Sequence, residues 1–292
     1  MTIWAINFLV VKIGLRYLPA LTLASFRIVA AGFFMLAIVP LARRLPMFSS
    51  AGHKARFTAG DFFTFAYLGL FGVSVNQFCF TLGLRYTNVT HSSVIVGLAP
   101  IYTLTLAVLL RLERLTWRKA VGMAIAFSGV AILASATGIS PHSPTLLGDA
   151  ITMCGSLGFA TYVVLGKRVA AVYDSLTMTT WNFIFGALIL LPVAIQQAIA
   201  IHFFEIWRTI PLTAWACVAF TALFSSTLAY LFYYWLLRYL EASQLASFSY
   251  LLPVSASGLS ILFLGERGSY LELVGGLLAL CGVYWIESTR EH

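Results

Sequence analysis

The feature that most constrains this chain is a succession of apolar runs, most of them close to twenty residues long, joined by short polar connections. A helix of that length crosses a hydrocarbon core of about 30 Å, whereas a membrane β-barrel would show short segments of alternating polarity. Charged residues make up 10% of the 292 residues, compared with about 25% in soluble domains. The sequence therefore predicts an all-α, polytopic membrane protein.

Ten such runs stand out, and we predict that each forms a transmembrane helix. They cover approximately residues 1–17, 21–41, 61–84, 91–111, 117–137, 147–167, 176–198, 212–237, 243–264 and 269–287. Lys and Arg concentrate in cytoplasmic loops, and with a cytoplasmic amino terminus the inner loops and tail hold twelve of them against four outside. We therefore predict that both termini are cytoplasmic. The net charge of +8 reflects this topology and does not indicate nucleic-acid binding.

Two passages of the sequence have the same layout. LRYTNVTHSSVIVGLAP ends at Pro100 and LRYLEASQLASFSYLLP ends at Pro253, 153 positions later. The same offset relates Arg85 to Arg238, Glu113 to Glu266, Gly122 to Gly275 and Gly129 to Gly282. Residues 1–140 and 141–292 thus read as two repeats of five helices, and because five is odd, the second repeat is inverted in the membrane. Inverted repeats are typical of carriers that alternate access around a site near the midplane.

Several segments in both halves resemble a known family. The segments WAINFLVVKIGL, LTLASFRIVAAG, LERLTWRKAVGMAIAFSGVAIL and LGERGSYLELVGGLLALCGVYW are similar to the EamA family of the drug/metabolite transporter superfamily. The resemblance covers nearly the whole chain, and one branch of this family is the YddG-like exporters of aromatic amino acids. It implies a ten-helix bacterial inner-membrane carrier, with a cavity formed mainly by the first, third, fourth, sixth, eighth and ninth spans. It specifies the substrate poorly.

No predicted span carries an acidic residue near its middle. The ten Asp and Glu residues fall in loops or near helix ends, which argues against a carboxylate-based proton or sodium site. A membrane hydrolase is disfavoured because there is no HExxH helix and no pair of intramembrane aspartates. The four cysteines lie inside apolar segments without a CxxC pair, so no metal or redox role is indicated. We expect a protein that is not an enzyme and needs no cofactor.

Polar side chains within the spans are the first candidates for substrate contact. Asn7 and the adjacent amides Asn76 and Gln77 lie in apolar surroundings, where an unsatisfied amide is costly. Such amides either face a wet cavity or form hydrogen bonds between helices, and the sequence leaves both alternatives open. His91 opens the fourth span and matches Gln244 in the ninth. Either residue could contact the substrate, and His91 could also sense protons, although helix capping is the simpler interpretation.

Aromatic residues well inside the spans are the second set of candidates. They are Trp4, Tyr102, Tyr162, Tyr230 and Tyr250. A buried tyrosine hydroxyl needs a hydrogen-bond partner, and the ring offers a face to a flat or cationic ligand. Packing is the commoner role of any single one, but we expect the set to include several cavity residues.

Two basic residues, Lys12 and Arg27, also fall within predicted spans. They could attract an anionic substrate, but we favour snorkelling toward the headgroups for both. Arg27 is the better functional candidate of the two, because it lies deeper and is replaced by Asn182 in the second half.

Helix-breaking residues also recur in both halves. Pro100 and Pro253 each remove a backbone hydrogen bond, and we interpret them as hinges that let the fourth and ninth spans bend, with a static kink as the alternative. Small residues should bring the fifth and tenth spans into close intramolecular contact; these are Gly122, Gly129, Gly275, Gly276 and Gly282.

Taken together, these patterns favour a secondary carrier that exports small metabolites, above all neutral or aromatic amino acids, by alternating access across the bacterial inner membrane. The expected partners are a small-molecule substrate and the lipid bilayer, without nucleic acid, and the protein should be a monomer or a weak homodimer. Two other functions remain open, namely efflux of drugs or aromatic cations and a non-transporting membrane scaffold. The missing buried carboxylate argues against the first of these.

Overall fold

The computed structural model describes residues 1–44, 58–87, 89–136, 146–255, 259 and 270–287, and over these residues it is helical, without a strand. The α-helices are α1 (Thr2–Gly14), α2 (Ala20–Ala42), α3 (Ala59–Leu68), α4 (Asn76–Tyr86), α5 (Val89–Gly97), α6 (Ala99–Leu109), α7 (Trp117–Ala136), α8 (Leu146–Ala170), α9 (Ser175–Ala200), α10 (Phe203–Ile206), α11 (Leu212–Phe220), α12 (Ala229–Leu237), α13 (Ala242–Ser247) and α14 (Tyr270–Glu287). These bounds follow the predicted runs closely and confirm the predicted all-helical class.

Six helices are long and apolar enough to cross a membrane. They are Ala20–Ala42, Gly60–Tyr86, Ser92–Leu109, Leu146–Ala170, Ser175–Ala200 and Leu212–Leu237. Shorter apolar helices cover Thr2–Gly14 and Val274–Ile286. The other two predicted spans, residues 117–137 and 243–264, extend into residues that lie outside the described ranges. Several membrane-length helices in one chain support a multi-pass membrane protein.

Two long helices contain a widened turn in their middle. The first π-helical segment, π1 (Gly69–Val75), joins α3 to α4, and the second, π2 (Thr221–Leu228), joins α11 to α12. Shifted by the repeat offset of 153, π1 would cover residues 222–228, which lie within π2. Such π-helical turns are frequent at functional sites, because the extra residue changes the direction in which the following side chains point.

The helical stretches that carry Pro100 and Pro253 are each interrupted a few residues before the proline. The helix broken at Leu98 resumes as α6 with Pro100 in its first turn, where a missing N–H costs little. In the second half, α13 passes into the 3₁₀ segment Phe248–Tyr250, and residues 251–255, including Pro253, continue as helix. The two interruptions lie close together, since a Cβ on Gly97 would contact the Pro253 ring at 3.4 Å.

The helices α7 and α14 pack backbone to backbone. A Cβ on Gly129 would collide with the backbone of Gly275 and Ala279, and a Cβ on Gly282 would collide with Ala126. Helices approach this closely only where both carry small residues. The prediction of an intramolecular contact between the fifth and tenth predicted spans is confirmed, and we call this contact the glycine seam.

Two lysines bind the ends of neighbouring helices. Lys12 Nζ donates hydrogen bonds to the carbonyls of Leu84 (2.8 Å) and Thr87 (2.7 Å), at the end of α4. Lys167 Nζ donates to the carbonyls of Leu237 (2.7 Å) and Leu240 (2.5 Å), at the end of α12. The last carbonyls of a helix have no partner within it, so these lysines act as C-terminal caps. This finding replaces snorkelling as the role of Lys12.

Candidate functional site

A cavity lies between helices from both halves of the chain and includes about 570 Å³ of space together with its mouth. Five aromatic residues contribute to its wall, namely Trp4, Phe8, Phe80, Phe159 and Tyr230. Polar groups interrupt this wall; they are Asn7, Arg27, Asn76, Gln77, Ser156, Ser225 and Ser249. An apolar pocket with a few convergent polar groups is the usual form of a small-molecule site.

The structure brings half of the predicted site residues together at this cavity. Trp4, Asn7, Asn76, Gln77 and Tyr230 all line it. They come from α1, α4 and α12, and the last two of these helices follow directly after π1 and π2. The widened turns therefore precede the amide pair and the tyrosine that face the cavity.

Three of the other predicted tyrosines lie away from the cavity lining. Tyr162 lies one layer behind it, fully buried, with its ring centroid 5.8 Å from that of Tyr230. Tyr250 belongs to a separate apolar cluster around Val130 and Ala279. Tyr102 is half-buried on α6 and does not line the cavity. Nothing in their sequence context separates these tyrosines from Tyr230, because only helix packing decides which ring faces the opening.

Of the predicted polar pair His91 and Gln244, Gln244 is not among the residues that line the cavity. Gln244 closes a capping box at the start of α13, where its Oε1 accepts from the backbone N–H of Glu241 at 3.2 Å. The backbone of His91 lies in α5, and its side chain falls outside the described part of the structure. The role of His91 stays a prediction.

Asn76 and Tyr230 are held by a hydrogen-bond network between helices. The Tyr230 hydroxyl donates to Asn76 Oδ1 (2.9 Å) and lies 3.1 Å from the Gly72 carbonyl. Asn76 Nδ2 donates in turn to the Gly155 carbonyl of α8 at 3.0 Å. This network ties α4, α8 and α12 together, and it fixes the ring of Tyr230 at the cavity wall. Both roles considered for Asn76 therefore apply: it lines the cavity, and it forms hydrogen bonds with two neighbouring helices.

Arg27 is the most unusual residue of the site. It is 2% exposed, so the snorkelling interpretation is wrong for it. Among the described residues, its guanidinium donates only to hydroxyl groups, those of Thr81 at 3.4 Å, Ser226 at 3.2 Å and Ser225 at 3.5 Å. Ser226 also donates to Gln77 Oε1 at 2.6 Å. The cation therefore lies beside Gln77 within one shared network.

Several buried polar atoms at the cavity are left without a hydrogen-bond partner among the described residues. They are Asn7 Oδ1, Arg27 Nε, Gln77 Nε2 and Ser156 Oγ. Buried polar atoms are normally paired, and leaving one unpaired costs about 1–3 kcal/mol. The cavity therefore offers one free acceptor, two free donors and a hydroxyl to a polar ligand.

Packed rings form one part of the cavity wall and continue behind it to Tyr233. Trp4 contacts Phe159, Tyr230 and Tyr233 with ring centroids 5.8, 5.7 and 5.4 Å away, and Phe159 contacts Tyr233 at 5.4 Å. Trp4 Nε1 also donates to the Ser225 carbonyl of π2 at 3.0 Å. We call Trp4, Phe159, Tyr230 and Tyr233 the aromatic layer.

A group of charged residues lies beyond the aromatic layer, where α12 ends and α13 begins. Lys119 Nζ pairs with Glu113 Oε2 at 3.0 Å and with Glu241. Glu113 also accepts from the backbone N–H of Ser243 at 3.1 Å and from its hydroxyl. We call Lys119, Glu113, Glu241 and Ser243 the ionic cluster. It joins the loop and helix after α6 to the loop and helix after α12.

Sequence reasoning missed several cavity residues. Phe8, Phe80 and Phe159 are apolar residues in apolar helices, so no local signal distinguishes them from core residues. Ser156 and Ser225 are small enough to form helix contacts anywhere in a membrane protein. Ser225 lies within π2, and a predicted π-helical turn would have made it a candidate. Such a turn cannot be predicted, however, because it leaves no signature in the hydrophobic pattern.

Comparison with known proteins gives an EamA-like transporter family match over residues 1–135 and 146–288. An uncharacterized transporter from Archaeoglobus fulgidus is 27% identical over 99% of this chain and 96% of its own. A probable terminal-alkyne amino-acid exporter from Streptantibioticus cattleyicolor is 26% identical over 97% of this chain and 89% of its own. A probable amino-acid metabolite efflux pump from Salmonella typhimurium is 24% identical over 97% and 90% of the two chains.

A crystal structure of another protein has the same fold. It superposes with a TM-score of 0.69 at 17% sequence identity, over 97% of this chain and 93% of that one. The similar proteins are named as transporters, and some of them as amino-acid exporters or efflux pumps. These findings confirm the expectation of a transporter rather than an enzyme, in a multi-pass membrane setting.

Proposed function

The chain belongs to the EamA-like transporter family, and from this premise we propose that it is a secondary carrier that exports amino acids by alternating access. Its ten spans form two inverted repeats, residues 1–140 and 141–292. It resides in the bacterial inner membrane as a monomer or a weak homodimer, with both termini in the cytoplasm.

The observation that carries this proposal is the cavity with its unsatisfied polar atoms. Both halves line it, the first through Arg27 and Gln77 among others, the second through Ser156 and Tyr230. A purely structural bundle would have no use for buried donors and acceptors that lack partners within the described residues, because each lowers stability. A solute that forms hydrogen bonds with them would offset that cost.

The chemistry of the cavity suits an amino acid. The free donors of Arg27 and Gln77 match a carboxylate, the free acceptor of Asn7 matches an ammonium group, and the rings of Phe8 and Phe80 match an apolar side chain. Two relatives at 24% and 26% identity are named as exporters of amino acids or their metabolites. Efflux of an aromatic cation is disfavoured, because Arg27 would repel it in a poorly screened interior.

Alternating access requires that the cavity open to one side at a time. We assign closure of one end of the cavity to two groups of residues. The first is the aromatic layer, and the second, farther along α12, is the ionic cluster. With the predicted orientation, this end faces the cytoplasm. The interrupted helices around Pro100 and Pro253 are the proposed hinges, since a helix with missing hydrogen bonds bends there at low cost.

Counterflow into proteoliposomes tests the proposal. Vesicles loaded with unlabelled solute should accumulate the labelled solute when it is a neutral or aromatic amino acid. The triple variant Asn7→Leu, Asn76→Leu, Gln77→Leu should abolish this uptake, whereas Ser128→Ala, which removes a hydroxyl bonded only to its own helix, should not change it. Failure of every amino acid while another class of metabolite moves would contradict the proposed substrate. Retention of full uptake by the triple variant would contradict the site.

A further inference from the structure

We propose that Arg27 is the specificity-determining residue of the cavity, where it binds the carboxylate of the transported solute. This inference rests on the proposed function and deepens it. It restricts the substrates to molecules with a free carboxylate and excludes their amides, esters and decarboxylated amines.

The first argument is the state of the guanidinium. Arg27 is among the largest fully buried side chains of the molecule. An isolated ion in a low-dielectric interior is strongly disfavoured unless it is paired. Within the part of the chain that the structure describes, the only groups that accept from Arg27 are the hydroxyls of Thr81, Ser225 and Ser226, all at 3.2–3.5 Å. These contacts are long and neutral, so no described residue compensates the positive charge.

The second argument is the geometry of the free donors. Arg27 Nε is buried and has no acceptor among the described residues, and the same holds for Gln77 Nε2. Nε and a terminal nitrogen form one edge of the guanidinium, and this edge matches the two oxygens of a carboxylate in a bidentate pair. Because Arg27 and Gln77 both contact Ser226, their free donors lie in one neighbourhood and can bind one anion.

The third argument is the acceptor on α1. Asn7 lines the same cavity, is 5% exposed, and its Oδ1 has no partner in the described ranges. A carboxylate alone would leave this acceptor unsatisfied, whereas a neighbouring ammonium would donate to it. Donors for an anion and an acceptor for a cation within one pocket are the pattern expected for a zwitterion.

The second half of the chain offers no equivalent cation. WAINFLVVK (Trp4–Lys12) resembles FATYVVLGK (Phe159–Lys167) at an offset of 155, so Asn7 and Arg27 match Tyr162 and Asn182. Thr81 matches Tyr234 at the offset of 153. All three are buried, and the rings of Tyr162 and Tyr234 pack at 4.9 Å. Tyrosine side chains therefore fill the volume where the described residues of the second half would form a matching site.

The test is binding to the purified, detergent-solubilised full-length protein. The probes are phenylalanine and leucine, each with its amide and its decarboxylated amine, together with 3-phenylpropionate and sodium chloride. Wild type should bind the acids and should bind each amide and amine at least about 30-fold more weakly, as expected when one partner of a buried charge pair is removed. Arg27→Gln should bind the acids as weakly as wild type binds the amides.

Control variants separate binding from folding. Arg27→Lys keeps the charge without the bidentate edge and should give intermediate affinity, and Ser128→Ala should match wild type. Arg27→Gln should unfold at the same or a higher temperature than wild type without ligand, because it removes an unpaired buried charge. Should it fail to fold, the comparison of acid, amide and amine on wild type decides the question by itself.

The outcomes separate this inference from the proposed function. Equal binding of acid and amide by wild type, or unchanged acid binding by Arg27→Gln, overturns the inference while amino acid export still stands. Binding of 3-phenylpropionate but of no amino acid, lost in Arg27→Gln, supports the inference and overturns the proposed substrate. Binding of chloride, without binding of any of the carboxylic acids, identifies an inorganic anion site and overturns the carboxylate assignment.

Discussion

At the scale of single residues, Gln77 is the position where a substitution could give Arg27 a charged partner within the protein. Both side chains contact Ser226, so the variant Gln77→Glu would place a carboxylate beside the buried guanidinium. We expect its melting temperature to rise, because an unpaired buried charge acquires a partner, and its affinity for amino acids to fall more than tenfold. A melting curve and a binding isotherm measure both effects. A lower melting temperature together with normal binding would contradict the charge state assigned to Arg27.

The hydroxyl of Tyr230 gives a second prediction. Tyr230→Phe keeps the ring in the aromatic layer but removes the hydrogen bond to Asn76 and the contact with the Gly72 carbonyl. Leaving buried acceptors unsatisfied costs about 1–3 kcal/mol, so thermal stability should fall and uptake should fall with it. Tyr102→Phe, which changes a half-buried tyrosine outside the cavity lining, serves as the matched control and should leave both unchanged. Equal effects of the two substitutions would mean that the network around Asn76 has no special role.

Residue patterns predicted part of this site and not the rest. Asn7, Asn76 and Gln77 could be found because an amide in an apolar run needs a partner wherever it lies. The orientation of Arg27 could not be read, since a basic residue near a helix end reaches either the headgroups or the interior, depending on which face of α2 is covered. Tyr230 and Tyr250 occupy similar apolar surroundings in sequence, and only the packing of α12 and of the 3₁₀ segment after α13 places one at the cavity and the other in a core.

At the scale of elements, the widened turns matter most. π1 and π2 lie immediately before Asn76 and Tyr230, and they direct these side chains toward each other. The apolar runs predicted the helices within a few residues, but not these turns, because one additional residue within a turn hardly changes the hydrophobic pattern. The broken helices around Pro100 and Pro253 were easier to predict, since proline removes a backbone donor wherever it stands.

The close contact at π1 can be tested with a single methyl group. A Cβ on Gly72 would overlap the ring of Tyr162, whereas a Cβ on Gly276 would meet, among the described residues, only Val254 at 3.4 Å, an ordinary contact distance. Gly72→Ala should therefore destabilise the protein by about 1–3 kcal/mol, as overpacking does, and reduce transport. Gly276→Ala should be tolerated. Thermal unfolding of the two variants side by side measures the difference, and equal stability would show that π1 can move away from Tyr162.

At the scale of the whole molecule, the ionic cluster is expected to hold one end of the cavity closed. Lys119 binds both Glu113 and Glu241, which come from different halves of the chain, so Lys119→Met should weaken closure at that end. In a cysteine-free background, Ser249→Cys reports on the cavity through its reaction with impermeant thiol reagents added from either side. The Lys119 variant should shift labelling toward the cytoplasmic side several-fold.

The neighbouring residue supplies the control for this experiment. Arg118 is exposed, so Arg118→Met removes the same charge without touching the ionic cluster. It should label as the parent protein does. An equal shift in both variants would mean that net charge, and not the cluster, sets the balance between the two states.

The glycine seam limits how such a protein can move. Where α7 and α14 touch through their backbones, neither helix can slide or separate without opening a void that lipid would have to fill. In the proposed alternating access, this line would therefore be the axis about which the rest of each half rotates. Displacement would grow with distance from the seam, so that a small rotation there would produce the largest movement at the mouth of the cavity.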